Sequence, residues 1–189
     1  NYYFSHMLNC IYDCRYCFLQ GMYSSANFLL FVNYEDFIRD IKDRAQKETE
    51  ETYFFSGYDC DSLALEDYSD FVSSFIPVFK NLSHCNLELR TKSCQVSSIL
   101  KNTAIPNVIC AFSLNPENII KAIEHKTPSL KRRIEAMKKL SDRNWNLGLR
   151  FDPLIYHDQY RQNYSEMFEQ VFNSIDEKQI HSISFGPMR

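Results

Sequence analysis

Glycine is scarce in this chain, with four in 189 residues, and there are only six prolines. No Gly/Pro-rich linker divides it, and neither an internal repeat nor a low-complexity tract is present. Long apolar runs are also missing. Phe28-Leu29-Leu30-Phe31-Val32 is far too short to span a bilayer. No charged stretch followed by an apolar segment and a small-residue cleavage site marks a signal peptide. The absence of both signals makes a cytoplasmic location, with no membrane partner, the expectation. An even set of evenly spaced cysteines is lacking too. The seven fall at 10, 14, 17, 60, 85, 94 and 110, three clustered and four scattered through apolar segments. An odd, uneven set argues against a disulfide framework and for a metal cluster plus buried thiols.

What the chain does have is apolar bulk. Hydrophobic residues make up 44%, with 15 Phe and 12 Tyr, enough for one globular domain with a substantial core. The net charge of −3 is unevenly spread. Residues 1–80 carry 6 Lys/Arg against 13 Asp/Glu, a net of −7, and residues 81–189 carry 15 against 11, a net of +4. The sharpest basic stretch is Lys131-Arg132-Arg133, followed by Lys138, Lys139 and Arg143. It reads as a solvated helix face or as a phosphate contact.

Periodicity alternates strand with helix. Strands are expected at Tyr2–Met7, Glu51–Gly57, Asn86–Lys92, Val108–Ser113, Leu147–Asp152 and His181–Phe185. Between them, helical spacing runs through 34–47, 65–79, 95–102, 129–140 and 159–175, with Pro116 and Pro128 at expected first turns. Six strands alternating with helices imply an α/β fold with a parallel sheet and outer helices, either a partial (β/α)6 barrel or a doubly wound sheet. Both put chemistry at the C-terminal ends of the strands. The whole chain, 1–189, is expected to be one core domain, trimmed after its sixth strand.

The loop after the first strand carries Cys10-Ile-Tyr-Asp-Cys14-Arg-Tyr-Cys17, a C-x3-C-x2-C spacing. Three thiolates at this spacing can each bind one iron of a [4Fe–4S] cubane, leaving the fourth iron open to a small molecule. A zinc site would want a fourth ligand, for which His6 is the only close candidate, and this is not a common zinc spacing. His84, His125, His157 and His181 are scattered and pair with no nucleophile. Cys85, Cys94 and Cys110 read as core thiols. Asp152 beside Arg150 reads as an internal ion pair or a substrate contact.

Further segments carry a resemblance. They are Cys14-Arg-Tyr-Cys-Phe-Leu-Gln20, Ser56-Gly-Tyr-Asp-Cys-Asp-Ser-Leu-Ala-Leu65, Arg90-Thr-Lys-Ser93, Phe112-Ser-Leu-Asn115, Glu124-His-Lys-Thr-Pro-Ser-Leu-Lys-Arg-Arg133 and Gly148-Leu-Arg-Phe-Asp-Pro153. In this order they resemble radical S-adenosylmethionine enzymes, and among them the spore photoproduct lyase family. The resemblance implies a [4Fe–4S] cluster on Cys10, Cys14 and Cys17 with S-adenosyl-L-methionine as the second cofactor. It implies Tyr16 at the adenine, Ser56 and Gly57 near the methionine amine, and Lys92, Ser113 and Asn115 at the carboxylate or ribose. It further implies an electron donor such as flavodoxin or ferredoxin, hydrogen abstraction from a substrate, and a DNA photolesion as that substrate. Two departures matter. Tyr58 stands where such lyases carry a hydrogen-donating cysteine, with Cys60 two positions on, and Phe18 stands where they carry a tyrosine. Tyr16, Tyr58 and Cys60 are therefore the candidate catalytic residues. The alternative is a catalytically altered protein that binds cluster and cofactor but acts on another substrate or on none.

Overall fold

Strand-forming runs of aromatic and β-branched residues nucleate the sheet, and their order decides between the two architectures. The computed structural model describes residues 1–188. Its sheet comprises β1 (Tyr2–Phe4), β2 (Thr52–Ser56), β3 (Cys85–Thr91), β4 (Val108–Ser113), β5 (Asn146–Leu154) and β6 (Ile180–Pro187). These strands pair in their chain order, and every pairing is parallel. A doubly wound sheet must reverse its strand order at a switch point. None occurs here, so the architecture is the partial barrel.

Curvature is visible in a contact across the inner face. Tyr53 of β2 meets the ring of His181 of β6 at 6.1 Å, although three strands separate them in the sheet. A register shift at the start of β6 accommodates His181. The inner face also holds a buried ion pair. Arg150 of β5 donates from Nη2 to Glu88 of β3 at 2.6 Å and from Nε to its other oxygen at 3.1 Å. Gly148 makes room for it, because a Cβ there would lie 2.9 Å from Arg150 Nη2. The expected Arg150–Asp152 pair is not formed. Arg150 is instead taken by Glu88, and Asp152 pairs with Arg90 at 3.2 Å, both partners lying on β3 across the intervening β4.

The outer face carries the core. The main helices are α1 (Tyr34–Ala45), α2 (Phe71–Phe79), α3 (Glu117–Ile123), α4 (Leu130–Ser141) and α5 (Tyr160–Phe172). Phe54, Leu87, Leu89, Cys85, Cys110, Phe112, Leu147 and Leu149 pack beneath Phe71, Phe75, Phe79, Met137 and Leu140. Cys85 and Cys110 are fully buried core thiols, as expected. The helix expected over 65–79 is broken. Asp70 adopts a left-handed φ of 50°, separating a turn at Glu66–Ser69 from α2, and aspartate tolerates this conformation better than most residues. No helix among the described residues is long and apolar enough to cross a membrane.

His6 lies flat on Phe71, with ring centroids 3.9 Å apart, and neither ring nitrogen has a hydrogen-bond partner among the described residues. Burial lowers its pKa from 6.5 to about 3. An unfolded chain therefore binds a proton at His6 that the native fold refuses, and stability is lost as pH falls from 6.5 toward 3, by on the order of 1.4 kcal/mol per pH unit. The variant His6→Phe should keep the stack and flatten that acid limb in urea unfolding titrations. An unchanged pH dependence would show that His6 does not titrate this way.

Candidate active site

The loop after β1 is closed at its base and clamped near its tip. Met7–Leu8 pairs antiparallel with Leu29–Leu30, so the short apolar run near residue 30 forms one side of a ribbon. Asn9, at a left-handed φ of 71°, donates from Nδ2 to the carbonyls of Ser25 and Asn27. At the tip, Asp13 and Cys14 pair with His125 and Glu124, and Arg15 N–H donates to the Ile123 carbonyl at 2.9 Å. The three cysteines thus sit on a loop held against the connection between α3 and α4.

All three thiols are free. Cys14 is buried and Cys10 and Cys17 are half-buried. Burial, reinforced by Asp61, pushes Cys10 up to about 12, and burial pushes Cys14 up to about 11 against the opposing pull of Lys92. Without metal these two are therefore neutral thiols, and a metal that binds them must displace their protons. Among the described residues no three His, Cys, Asp or Glu side chains converge on a single ion. His6, the zinc-site candidate, is engaged in its stack on Phe71. A cubane asks for something else, one thiolate at each of three irons. Three free thiols on one loop, with the Lys92 and Arg133 charges felt at Cys14, fit that demand and offset its negative charge.

The other expected residues ring this loop at the strand ends. Ser56 ends β2, but its hydroxyl is buried, bonded to Ser62 Oγ at 2.7 Å and donating to the Glu88 carbonyl at 3.0 Å. Gly57 takes a φ of +78°, and a Cβ there would meet Ser62 Oγ at 2.5 Å and the Arg90 carbonyl at 3.2 Å. Only glycine fits that turn. Lys92 follows β3 and carries its Nζ over the Tyr16 ring at 5.6 Å, with no ion pair among the described residues. Ser113 ends β4 and is buried. Asn115 donates to Glu124 at 2.9 Å and accepts from Tyr164 at 3.3 Å, so both ends of its amide are engaged by protein. Tyr58 is more than half exposed and touches Tyr3 and Phe18, at 5.4 and 6.0 Å between ring centroids. Cys60 is buried, and burial raises its pKa.

Three important groups escaped the sequence reading. Asp61 is buried and accepts from Thr91 Oγ1 and the Lys92 N–H, both at 2.6 Å, which shapes the end of β3. Glu124 is buried, accepting from Tyr16, Asn115 and Arg133. Burial alone would raise its pKa, but Lys92, Arg133 and its hydrogen-bond donors outweigh this and hold it below the ordinary range. Arg133, taken from the sequence as part of an exposed basic run, is 0% exposed. The signal was present, since Arg133 lies on the apolar stripe of Leu130, Ile134 and Met137. Its guanidinium also reaches the carbonyl of Ser113, so the first turn of α4 lies at the strand ends and not remote from them.

A family model described as spore photoproduct lyase matches residues 1–188. The chain belongs to the spore photoproduct lyase family. The spore photoproduct lyase of Bacillus subtilis (strain 168) is 27% identical over 179 residues, covering 93% of this chain and 52% of that protein. That of Clostridium acetobutylicum is 22% identical over 182 residues, covering 95% and 54%. The chain therefore spans about half the length of the curated relatives it matches. A solved spore photoproduct lyase mutant with bound AdoMet and dinucleoside spore photoproduct is similar in fold, with a TM-score of 0.86 at 21% identity over 96% of this chain and 54% of that one.

Proposed function

We propose that this family member is the cofactor-binding core of a radical S-adenosylmethionine enzyme acting on a damaged nucleotide. The observation that carries the reading is the clamped loop of three free thiols at the C-terminal ends of a partial parallel barrel. Cys10, Cys14 and Cys17 would hold a [4Fe–4S] cluster. Together with S-adenosylmethionine, that cluster supplies a radical able to abstract hydrogen from a substrate. The chain's own residues bind and orient. Lys92, without an ion-pair partner of its own among the described residues, is the cation for the cofactor carboxylate. The Gly57 turn lets backbone approach closely, and Ser113 offers a hydroxyl at the end of β4. Relatives of this family include structures with bound dinucleoside spore photoproduct, which supports a DNA photolesion as substrate. Reduction would come from a small electron carrier such as flavodoxin or ferredoxin, with the protein acting in the cytoplasm.

Anaerobic reconstitution with iron and sulfide, followed by S-adenosylmethionine and a reductant, should release 5′-deoxyadenosine. Full cluster content with no release would refute the reading. In the same preparation Lys92→Ala should retain the cluster while its S-adenosylmethionine affinity by calorimetry drops about tenfold, from loss of a charge-assisted hydrogen bond. Unchanged affinity would remove Lys92 from the site.

A second reading is favoured by one observation. Tyr58 is exposed and Cys60 buried, so no accessible cysteine follows β2 to return a hydrogen. Release of 5′-deoxyadenosine without turnover of dinucleoside spore photoproduct would support radical generation directed at another substrate.

A further inference from the structure

The segment Glu124 to Arg133 supplies two fully buried charges beside the cysteine loop. Burying an ion pair costs several kcal/mol in desolvation and is poor value for stability alone. Every polar atom of this pair nonetheless has a partner. Arg133 donates from Nη2 to Glu124 at 2.6 Å and to Thr127 Oγ1 at 2.8 Å, from Nη1 to the Ser113 carbonyl at 2.8 Å, and from Nε to the Pro128 carbonyl at 3.0 Å. Glu124 turns its other oxygen to Asn115 Nδ2 and to the hydroxyl of Tyr16.

Tyr16 lies between Cys14 and Cys17, so this unit joins the cysteine loop to the end of β4. The join is made twice. The backbone of Cys14 pairs with that of Glu124, and the Tyr16 side chain reaches the same residue's carboxylate. Lys92 adds its ammonium over the Tyr16 ring. A tyrosine hydroxyl in a half-buried place would be satisfied by water. A buried carboxylate held by arginine fixes it in one orientation, and charge-assisted bonds resist displacement.

We propose that Glu124 is a positioning residue for the cofactor site. Through Tyr16 it sets where the cysteine loop stands relative to Ser113 and Lys92, and its carboxylate adds a fixed negative charge beside Cys14. The inference rests on the cluster reading above. It predicts two separable effects. Glu124→Gln removes the charge and leaves one acceptor oxygen, which serves either Tyr16 and Asn115 or Arg133, while its NH2 group faces the other. A negative charge near a cluster disfavours its reduced, more negative state, so the reduction potential of the loaded protein should move in the positive direction. Tyr16→Phe keeps the Glu124–Arg133 pair intact but releases the ring. Iron and sulfide content should then be unchanged while the affinity for S-adenosylmethionine falls about tenfold.

The experiment is an EPR-monitored reductive titration and a calorimetric titration with S-adenosylmethionine, each on wild type, Glu124→Gln and Tyr16→Phe after anaerobic reconstitution. A purely structural pair would change the yield of loaded protein but neither the potential nor the affinity of the loaded fraction. A positive shift in Glu124→Gln together with weakened cofactor binding in Tyr16→Phe supports the proposal. Wild-type values for both in the loaded fractions overturn it. Should Glu124→Gln fail to fold, Tyr16→Phe alone decides, because it leaves both buried charges paired, and unchanged affinity there overturns the proposal. A wild type that takes up no cluster refutes the cluster reading itself, an outcome visible before either variant is compared.

Discussion

Alanine at any one of Cys10, Cys14 or Cys17 is expected to abolish the iron–sulfur cluster in reconstituted protein, and with it all release of 5′-deoxyadenosine. Alanine at Cys85 or Cys110 should do neither. The contrast follows from placement. The first three thiols are free and share one loop at the strand ends, clamped to the α3–α4 connection through Asp13, Cys14 and Arg15. Cys85 and Cys110 lie on β3 and β4, fully buried beneath the outer helices. A cubane with three protein ligands has no spare thiolate, so losing one leaves two irons without protein ligands. Iron and acid-labile sulfide analysis after anaerobic reconstitution measures the outcome. A variant with all three cysteines replaced that still holds a full complement of both would disprove the assignment. The core variants provide the control for misfolding, since they create small cavities far from the loop.

Local patterns in the sequence carried the sheet further than they carried the site. Val108–Ser113 is legible to the residue because an unbroken apolar run buried on both faces has no other use in a parallel sheet. The break at Asp70 is not legible, since its left-handed backbone depends on α2 being pulled onto the core by Phe71 and Phe75. The choice of barrel over doubly wound sheet also lay outside local pattern, because strand order is a long-range property. At the site, the cysteine spacing announces itself within eight residues. Glu124 and Asp61 do not. Each works by accepting hydrogen bonds from residues distant in sequence, Glu124 from Tyr16 and Asp61 from Thr91. Arg133 was misread because a run of basic residues looks solvated, although helical phase puts it on the buried stripe of α4 while Lys131 and Arg132 face outward. Any phosphate contact by that helix therefore falls to its exposed cations Lys131, Arg132, Lys138 and Lys139, without Arg133.

The second large effect concerns the buried pair inside the barrel. Arg150→Ala should destabilise the fold by about 3–5 kcal/mol, because it strands the Glu88 carboxylate on the inner face without a partner. The guanidinium donates two bonds to that carboxylate and further ones to Ser182 Oγ at 2.9 Å and the Ser182 carbonyl at 3.3 Å. It therefore ties β3, β5 and β6 together across the sheet. Glu88→Ala should cost a comparable amount, because a buried guanidinium is then left uncompensated. The double replacement Glu88→Leu with Arg150→Leu should recover most of the loss, because each charge that remains unpaired in the single variants is gone. Gly148 and Ser182 decide how complete the recovery is. Gly148 was cut to fit the guanidinium, and a leucine leaves a void beside it. Urea unfolding of the wild type, Glu88→Leu, Arg150→Leu and the double variant closes the cycle. A double variant as unstable as the sum of its singles would mean the two residues are energetically independent. The geometry of two charged groups 2.6 Å apart and nearly free of solvent predicts the opposite, a coupling of several kcal/mol.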